Sequence, residues 1–213
     1  WAIRSSALTV KKALKRCTEL ATFDQPSFER AIADLPEGAL TVLIPSHRSY
    51  MDFVLISYLA FARPDLGIAI PKIAATADFA KIPVLGELFK HTNAFYIKRG
   101  VGREDPDLTR RIHELVANGE TLEFFIEGTR SRSRQFLRPK RGLLRALQST
   151  GATIAILPIA LSYDRVPEES VFATELAGSP KPKMQLRDLI KWSSKVSAGK
   201  INLGRVHMTC GDP

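Results

Sequence analysis

A histidine and an aspartate five positions apart, His47 and Asp52, stand where one apolar run ends and another begins. Residues 40–44 read as a strand, 46–51 as a polar loop, and 53–61 as a helix that is apolar almost all round. Two residues five apart on one continuous helix do not share a face. With His47 in the loop and Asp52 in the first helical turn, the carboxylate reaches back to the imidazole. A carboxylate on Nδ1–H fixes the tautomer and leaves Nε2 as a general base. It also stabilises the imidazolium that forms once a proton is taken. The competing reading is local: Ser49-x-x-Asp52 has the pattern of a capping box, with Asp52 serving the helix N-terminus. No serine or cysteine with nucleophile character accompanies the pair, so a base at His47 would act on a hydroxyl of the substrate.

A second chemistry is written in arginine. The run Phe125-Ile126-Glu127-Gly128-Thr129-Arg130-Ser131-Arg132-Ser133-Arg134 follows a strand-like stretch at 121–126. Gly128 permits a sharp turn after that strand. In extended backbone Arg130, Arg132 and Arg134 would point the same way. Guanidinium forks match phosphate oxygens in pairs, and the intervening serines add hydroxyl donors. Glu127 stands ready to hold an arginine or to accept a substrate hydroxyl. A shorter version occurs at Ala94-Phe95-Tyr96-Ile97-Lys98-Arg99, although taken alone Lys98 and Arg99 read as solvated strand-end residues. Seven basic residues and no acidic one lie between Arg130 and Arg145. Such a run also suits nucleic acid. Only Phe136 interleaves with it, which gives base stacking little support.

The elements that must position these residues alternate between strand and helix. An amphipathic helix over 5–20 carries Val10, Ala13, Leu14 and Cys17 on one face and Lys11, Lys12, Lys15 and Arg16 largely between them. Residues 24–36 are polar with a short helix. Further strands are expected at 94–97, 153–159 and 206–209. Leu108, Ile112, Leu115 and Val116 mark a helix that ends at Asn118-Gly119, and Pro139 opens another. Proline inside the run 153–159 implies an edge strand or a bulge at Pro158. The pattern predicts an α/β domain: a mixed, largely parallel sheet flanked by helices, preceded by a short helical segment. The expected division is a helical lead-in over 1–38 and the main domain over 39–213. In such sheets ligands bind at the carboxyl ends of strands, and each polar cluster follows a strand.

Composition bounds the rest. The chain has 213 residues, 45% apolar and 25% charged, and a net charge of +9; it is neither disordered nor collagen-like. The excess charge points to an anionic partner. The apolar runs 53–62 and 152–161 are too short for the roughly 20 residues a membrane-crossing helix needs. Cys17 and Cys210 match no metal or redox spacing and suggest a reducing compartment. Beginning at Trp1 and ending on Gly-Asp-Pro, the chain reads as a piece of a longer protein.

Four blocks stand in order: His47-Arg48-Ser49-Tyr50-Met51-Asp52, then 94–99, then 125–133, then Leu157-Pro158-Ile159-Ala160-Leu161-Ser162-Tyr163-Asp164-Arg165. Together they resemble the glycerol-3-phosphate and dihydroxyacetone-phosphate branch of the glycerolipid acyltransferases, whose signature is a histidine, four residues, then aspartate. The likeness runs from about Thr41 to Pro213. Asn93 and Arg134 depart from it, standing where the family's blocks often have glycine.

The resemblance implies that His47 is the base and Asp52 its partner. It implies that Arg99, Glu127, Gly128, Arg130 and Arg132 hold a phosphorylated acceptor, and that Pro158 lies in a block associated with the acyl donor. The implied reaction moves an acyl group from acyl-CoA or acyl-carrier protein to the sn-1 hydroxyl of glycerol 3-phosphate, with dihydroxyacetone phosphate as the alternative acceptor. No metal and no cofactor beyond the acyl-CoA co-substrate is expected. The expected location is peripheral, on the cytoplasmic side of an anionic membrane, with helix 5–20 as one candidate anchor and packing of that helix on the domain as the other reading. A non-catalytic module for anionic lipid or nucleic acid is the rival class; a catalytically silent domain is disfavoured by the intact His–Asp pair, and no nucleic acid is expected as partner.

Overall fold

The computed structural model describes residues 2–77, 93–97, 105–133, 135–180 and 186–213. Within them the chain runs α1 (Ala2–Cys17), β1 (Leu20–Phe23), α2 (Gln25–Ala33), β2 (Leu40–Pro45), α3 (Asp52–Ala62), β3 (Lys72–Thr76), β4 (Ala94–Ile97) and α4 (Pro106–Ala117). It continues with β5 (Leu122–Glu123), α5 (Gly142–Gln148), β6 (Ile154–Tyr163), α6 (Glu169–Leu176), α7 (Leu186–Ser197) and β7 (Arg205–Cys210). Seven strands form one sheet in the order β1-β7-β6-β2-β5-β3-β4. Neighbours from β6 across to β4 are parallel; β7 runs antiparallel to β6, and β1 runs parallel to β7. This is the expected mixed, largely parallel sheet flanked by helices.

Alternation along the central strands feeds a core on each face. Leu43 and Leu157 face α3, where Leu55, Ile56 and Leu59 meet them, and α1, α2 and α7 extend that core through Leu14, Phe28 and Val196. Val42, Leu122 and Phe124 face the other way, onto Ile112 and Leu115 of α4 and Leu147 of α5. Burying each such side chain contributes roughly 1.5–3 kcal/mol. Helix α4 is set by its ends as well as its stripe. The Asp105 carboxylate accepts from the N–H groups of Asp107 and Leu108, Pro106 occupies the first turn, and Asn118 ends the helix.

Some expectations change. The lead-in is not all helix, because it also contributes β1, which pairs with β7 from Leu20↔Arg205 to Phe23↔Met208. Helix α1 turns Leu14 and Cys17 into the core, with Val10 and Ala13 packed beside them, so its apolar stripe meets protein. The strand expected over 121–126 keeps a ladder only at Leu122 and Glu123. Phe124 still donates to the Leu43 carbonyl at 3.2 Å, and Gly128 N–H bonds back to Phe125 at 2.9 Å. The chain leaves the sheet there to deliver Glu127. Helix α5 begins at Gly142, three residues after Pro139. Strand β6 is longer than expected, and only alternate residues are buried.

Pro158 lies in an interior strand, not at an edge. Its carbonyl accepts from Gly211 N–H at 2.8 Å, so its nitrogen faces β7 as well. The β6–β7 ladder runs from Ile159↔Cys210 to Tyr163↔Val206, and the missing N–H falls one residue beyond it, opposite Gly211, so only a bond at the ladder's end is forgone. Asn93, where glycine was the commoner choice, takes φ 66°. Asparagine tolerates this left-handed conformation better than most residues. The two cysteines are buried thiols.

Candidate active site

Strands β2, β5, β6, β3 and β4 run parallel, so their carboxyl ends share one edge of the sheet. The loop after β2 brings His47 there, the loop after β5 brings Glu127 to Arg132, and the end of β6 brings Tyr163. Strand β4 ends at Ile97 on the same edge; Arg99 and Arg134 lie outside the described residues.

His47 Nδ1 is 3.0 Å from Asp52 Oδ2. The same oxygen accepts the N–H groups of Arg48 at 2.7 Å and Ser49 at 2.9 Å, while Oδ1 accepts the Tyr163 hydroxyl at 2.6 Å. Asp52 is fully buried. Four donors converge on it, and hydrogen bonds to a charged group contribute about 1.5–3 kcal/mol each. With Asp52 placed as the acceptor of this set, Nδ1 is the ring nitrogen that donates to it. The two readings of Ser49-x-x-Asp52 are both realised: one carboxylate ties back the loop N–H groups at the start of α3 and also orients the histidine. The imidazole stacks on Phe125, centroids 4.0 Å apart and planes 21° apart. Nε2 has no partner among the described residues. A fixed ring with one free nitrogen can take a proton from a hydroxyl placed against it.

Glu127 is buried, and its partners among the described residues are backbone N–H groups, not an arginine. Oε1 accepts the backbone N–H of His47 at 2.9 Å, and Oε2 that of Leu137 at 2.9 Å. The His47 carbonyl in turn accepts Ser131 N–H at 2.8 Å. Glu127 therefore clips the histidine loop to the arginine loop. Gly128 makes this possible with φ 68°; a Cβ there would stand 3.0 Å from Cγ of Lys140.

The arginines do not fan out in extended backbone. Arg130 is buried, lies 3.6 Å over the Tyr50 ring and 5.1 Å from that of Phe172, and is 3.3 Å from Glu168 Oε1. Glu168, the residue just before α6, also accepts the Ser49 hydroxyl at 2.9 Å and Tyr50 N–H at 2.8 Å. Arg132 pairs with Glu175 near the end of the same helix and keeps 29% of its side chain exposed. Arg48 bonds the Gln135 carbonyl at 2.9 Å and covers the exposed ring of Phe136. The structure thus brings His47, Asp52, Glu127, Gly128, Arg130 and Arg132 into one network, adding Tyr163, Glu168 and Glu175, to which the sequence reading gave no role. Tyr163 and Glu168 follow the same rule that exposed the other clusters: polar residues at the carboxyl end of a strand. Among the described residues no cluster of His, Cys, Asp and Glu suits a metal ion.

The acyltransferase family model matches residues 30–162, more than half of the chain. The chain belongs to the acyltransferase family. The resemblance carried by the four blocks is therefore borne out, and His47 and Asp52 fall inside the matched region. Human dihydroxyacetone phosphate acyltransferase is 34% identical to this acyltransferase chain over 224 aligned residues, covering all of it and 32% of the human protein. Glycerol-3-phosphate acyltransferase of Ectopseudomonas mendocina (strain ymp) is 34% identical over 85% of the chain and 22% of its own length. That of Xanthomonas axonopodis pv. citri (strain 306) is 35% identical over 83% of the chain and 20% of its own length. The chain thus spans a third or less of these relatives. The crystal structure of the 1-acyl-sn-glycerophosphate acyltransferase PlsC from Thermotoga maritima shares the acyltransferase fold. It has a TM-score of 0.59 at 20% identity, over 99% of this chain and 68% of that one.

Proposed function

We propose that the domain transfers an acyl group from acyl-CoA, or acyl-carrier protein, to the sn-1 hydroxyl of glycerol 3-phosphate. The observation that carries this reading is the His47–Asp52 pair with Nε2 free, set on one sheet edge beside the arginine loop. Relatives named glycerol-3-phosphate acyltransferase support the acceptor. His47 Nε2 takes the proton of the acceptor hydroxyl as its oxygen attacks the thioester carbon. The C–O bond forms and the carbonyl π pair moves to oxygen as a tetrahedral oxyanion, which needs hydrogen-bond donors. Collapse breaks the C–S bond, and the departing thiolate receives the proton from the imidazolium. Asp52 keeps the ring oriented and stabilises its charged form. Arg99 and Arg132 are the proposed phosphate ligands, Arg132 exchanging Glu175 for the acceptor. Arg130, Glu127 and Gly128 shape the loop that presents them. The chemistry calls for no cofactor and no metal beyond the thioester co-substrate.

The dihydroxyacetone phosphate relatives, which align with the whole chain, favour a second acceptor of the same size and charge. Incubation with both acceptors and a range of acyl-CoAs, followed by identification of the products, decides between them. Absence of any acylated product would reject the reaction.

We also propose a peripheral place on the cytoplasmic face of an anionic membrane. No helix among the described residues is long and apolar enough to cross one. Because α1 packs its stripe inward, contact falls to the basic stretch, where Arg138, Lys140, Arg141 and Arg145 are exposed beside Phe136. Each cation near the surface is worth about 1 kcal/mol. Flotation with anionic vesicles should depend on these four.

A further inference from the structure

We infer that Tyr163 is a positioning residue of the His47–Asp52 pair, its hydroxyl anchoring the Asp52 carboxylate to the sheet and moderating its pull on the imidazole. The four donors to Asp52 differ in origin. Arg48 N–H, Ser49 N–H and His47 Nδ1 all belong to the loop between β2 and α3, and all meet Oδ2. The Tyr163 hydroxyl comes from the far end of β6, 111 positions later, and meets Oδ1 at 2.6 Å. It is thus the donor that ties the carboxylate to a different element. A phenol hydroxyl donating to one oxygen withdraws negative charge from the other, and Oδ2 is the oxygen that would steady an imidazolium.

The surroundings leave this hydroxyl as donor. Burial, and secondarily the Asp52 carboxylate, pushes the Tyr163 phenol well above its ordinary range, so it keeps its proton. Among the described residues, the other acidic groups around the pair are Glu123 from β5, Glu168 at the start of α6, and Glu127. Glu123 is fully buried, with neither oxygen hydrogen-bonded among the described residues. Desolvation, then the Asp52 charge, pushes it well up, which leaves it neutral and without a competing charge. Glu168 is paired with Arg130, and Glu127 is held by two backbone N–H groups.

The inference rests on the acyl-transfer reading for its kinetic consequence only; its physical consequence is read on His47 itself. In Tyr163→Phe protein, long-range ¹⁵N spectra of the histidine rings should show the His47 titration midpoint raised by about half a unit to one unit. His113 and His207 should not move. The acidic limb of kcat/KM should rise in step, with acceptor KM unchanged. If that variant does not fold, Tyr163→3-fluorotyrosine keeps the shape and strengthens the donor, and the midpoint should fall. A His47 midpoint that moves in neither variant overturns the inference, whatever the activity. A midpoint that moves in protein without acyl transfer upholds it while rejecting the proposed reaction.

Discussion

The backbone N–H of His47 donates to the Glu127 carboxylate at 2.9 Å across 80 residues of chain, so the loop that carries the base is fastened to the loop that carries the arginines. Replacement of Glu127 by Gln leaves one acceptor for two N–H donors. The amide then points an N–H₂ at either His47 or Leu137. We expect a loss of about 1–3 kcal/mol in stability and a fall in kcat larger than any change in KM. Denaturant unfolding and steady-state kinetics on the same preparation check both; a fully stable and active Glu127→Gln protein would show that the clip does not hold His47.

His47→Ala should abolish turnover while leaving thermal stability nearly intact, since the side chain stands on a loop, where its ring stacks on Phe125 and bonds Asp52. Removing a general base typically costs ~10²–10⁴-fold. Asp52→Asn should be severe on both counts, because its amide turns a donor toward the Arg48 and Ser49 N–H groups or toward the tyrosine hydroxyl. Wild-type rates from purified His47→Ala protein would reject the mechanism.

Arg130 and Arg132 should part company. Arg130 is buried against Tyr50 and Glu168, so Arg130→Ala takes the counter-charge from a largely buried carboxylate and should cost about 3–5 kcal/mol. A double-mutant cycle with Glu168→Gln should show strong coupling. Arg132 is itself partly exposed while its partner Glu175 is buried, so Arg132→Ala should raise the acceptor KM and also lower the melting temperature, and adding Glu175→Gln should restore the melting temperature but not the KM. Lys at 132 should rescue only in part, because an ammonium lacks the fork. If Arg132→Ala changes only the donor KM, the guanidinium serves the phosphates of the donor.

Glu123 gives a pH signature. Its folded carboxyl is pushed well above the usual range by burial, with Asp52 adding to the push. Its contribution to stability is therefore fully present below the unfolded value of about 4.3 and is lost as pH rises toward the folded one, because only the unfolded chain has released the proton. Glu123→Gln removes that slope. The variant should match the wild-type pH trend near pH ~4 and gain on the wild type toward pH ~8, by up to about 1.4 kcal/mol per pH unit inside the window. Parallel melting curves across that range would mean that Glu123 is not a buried neutral acid.

The sequence showed the chemistry best where periodicity and polar residues met at a strand end. β2, α3, β4, α4 and β7 could be read from their apolar patterns, and His47 and Asp52 from the break between two of them. Strand β1 escaped because Leu20-Ala21-Thr22-Phe23 is short and half exposed, and β3 because Lys72-Ile73-Ala74-Ala75-Thr76 has little alternation. The arginine loop was misjudged in geometry, since nothing local announces that Glu168 and Glu175, dozens of residues onward, neutralise Arg130 and Arg132. Pairings of that kind depend on tertiary closure of the sheet. The helix-capping pattern at Ser49 and the base–carboxylate pattern at His47 looked like rivals only because sequence cannot show one carboxylate serving four donors.

The reversal at β7 has a consequence for how the protein is made. Among the described residues, Leu20 to Phe23 pair with residues 205–208 alone, and Thr22 meets the His207 ring 185 positions later. As a ribosome extends the chain, β2, β3 and the strands beside them can assemble while the first strand waits without a ladder. Its docking closes a loop spanning nearly the entire domain, the slow kind of contact in folding. Strand β1 can complete its ladder only after β7 has been made, and until it does, β7 offers newly made chains an open edge for mispairing.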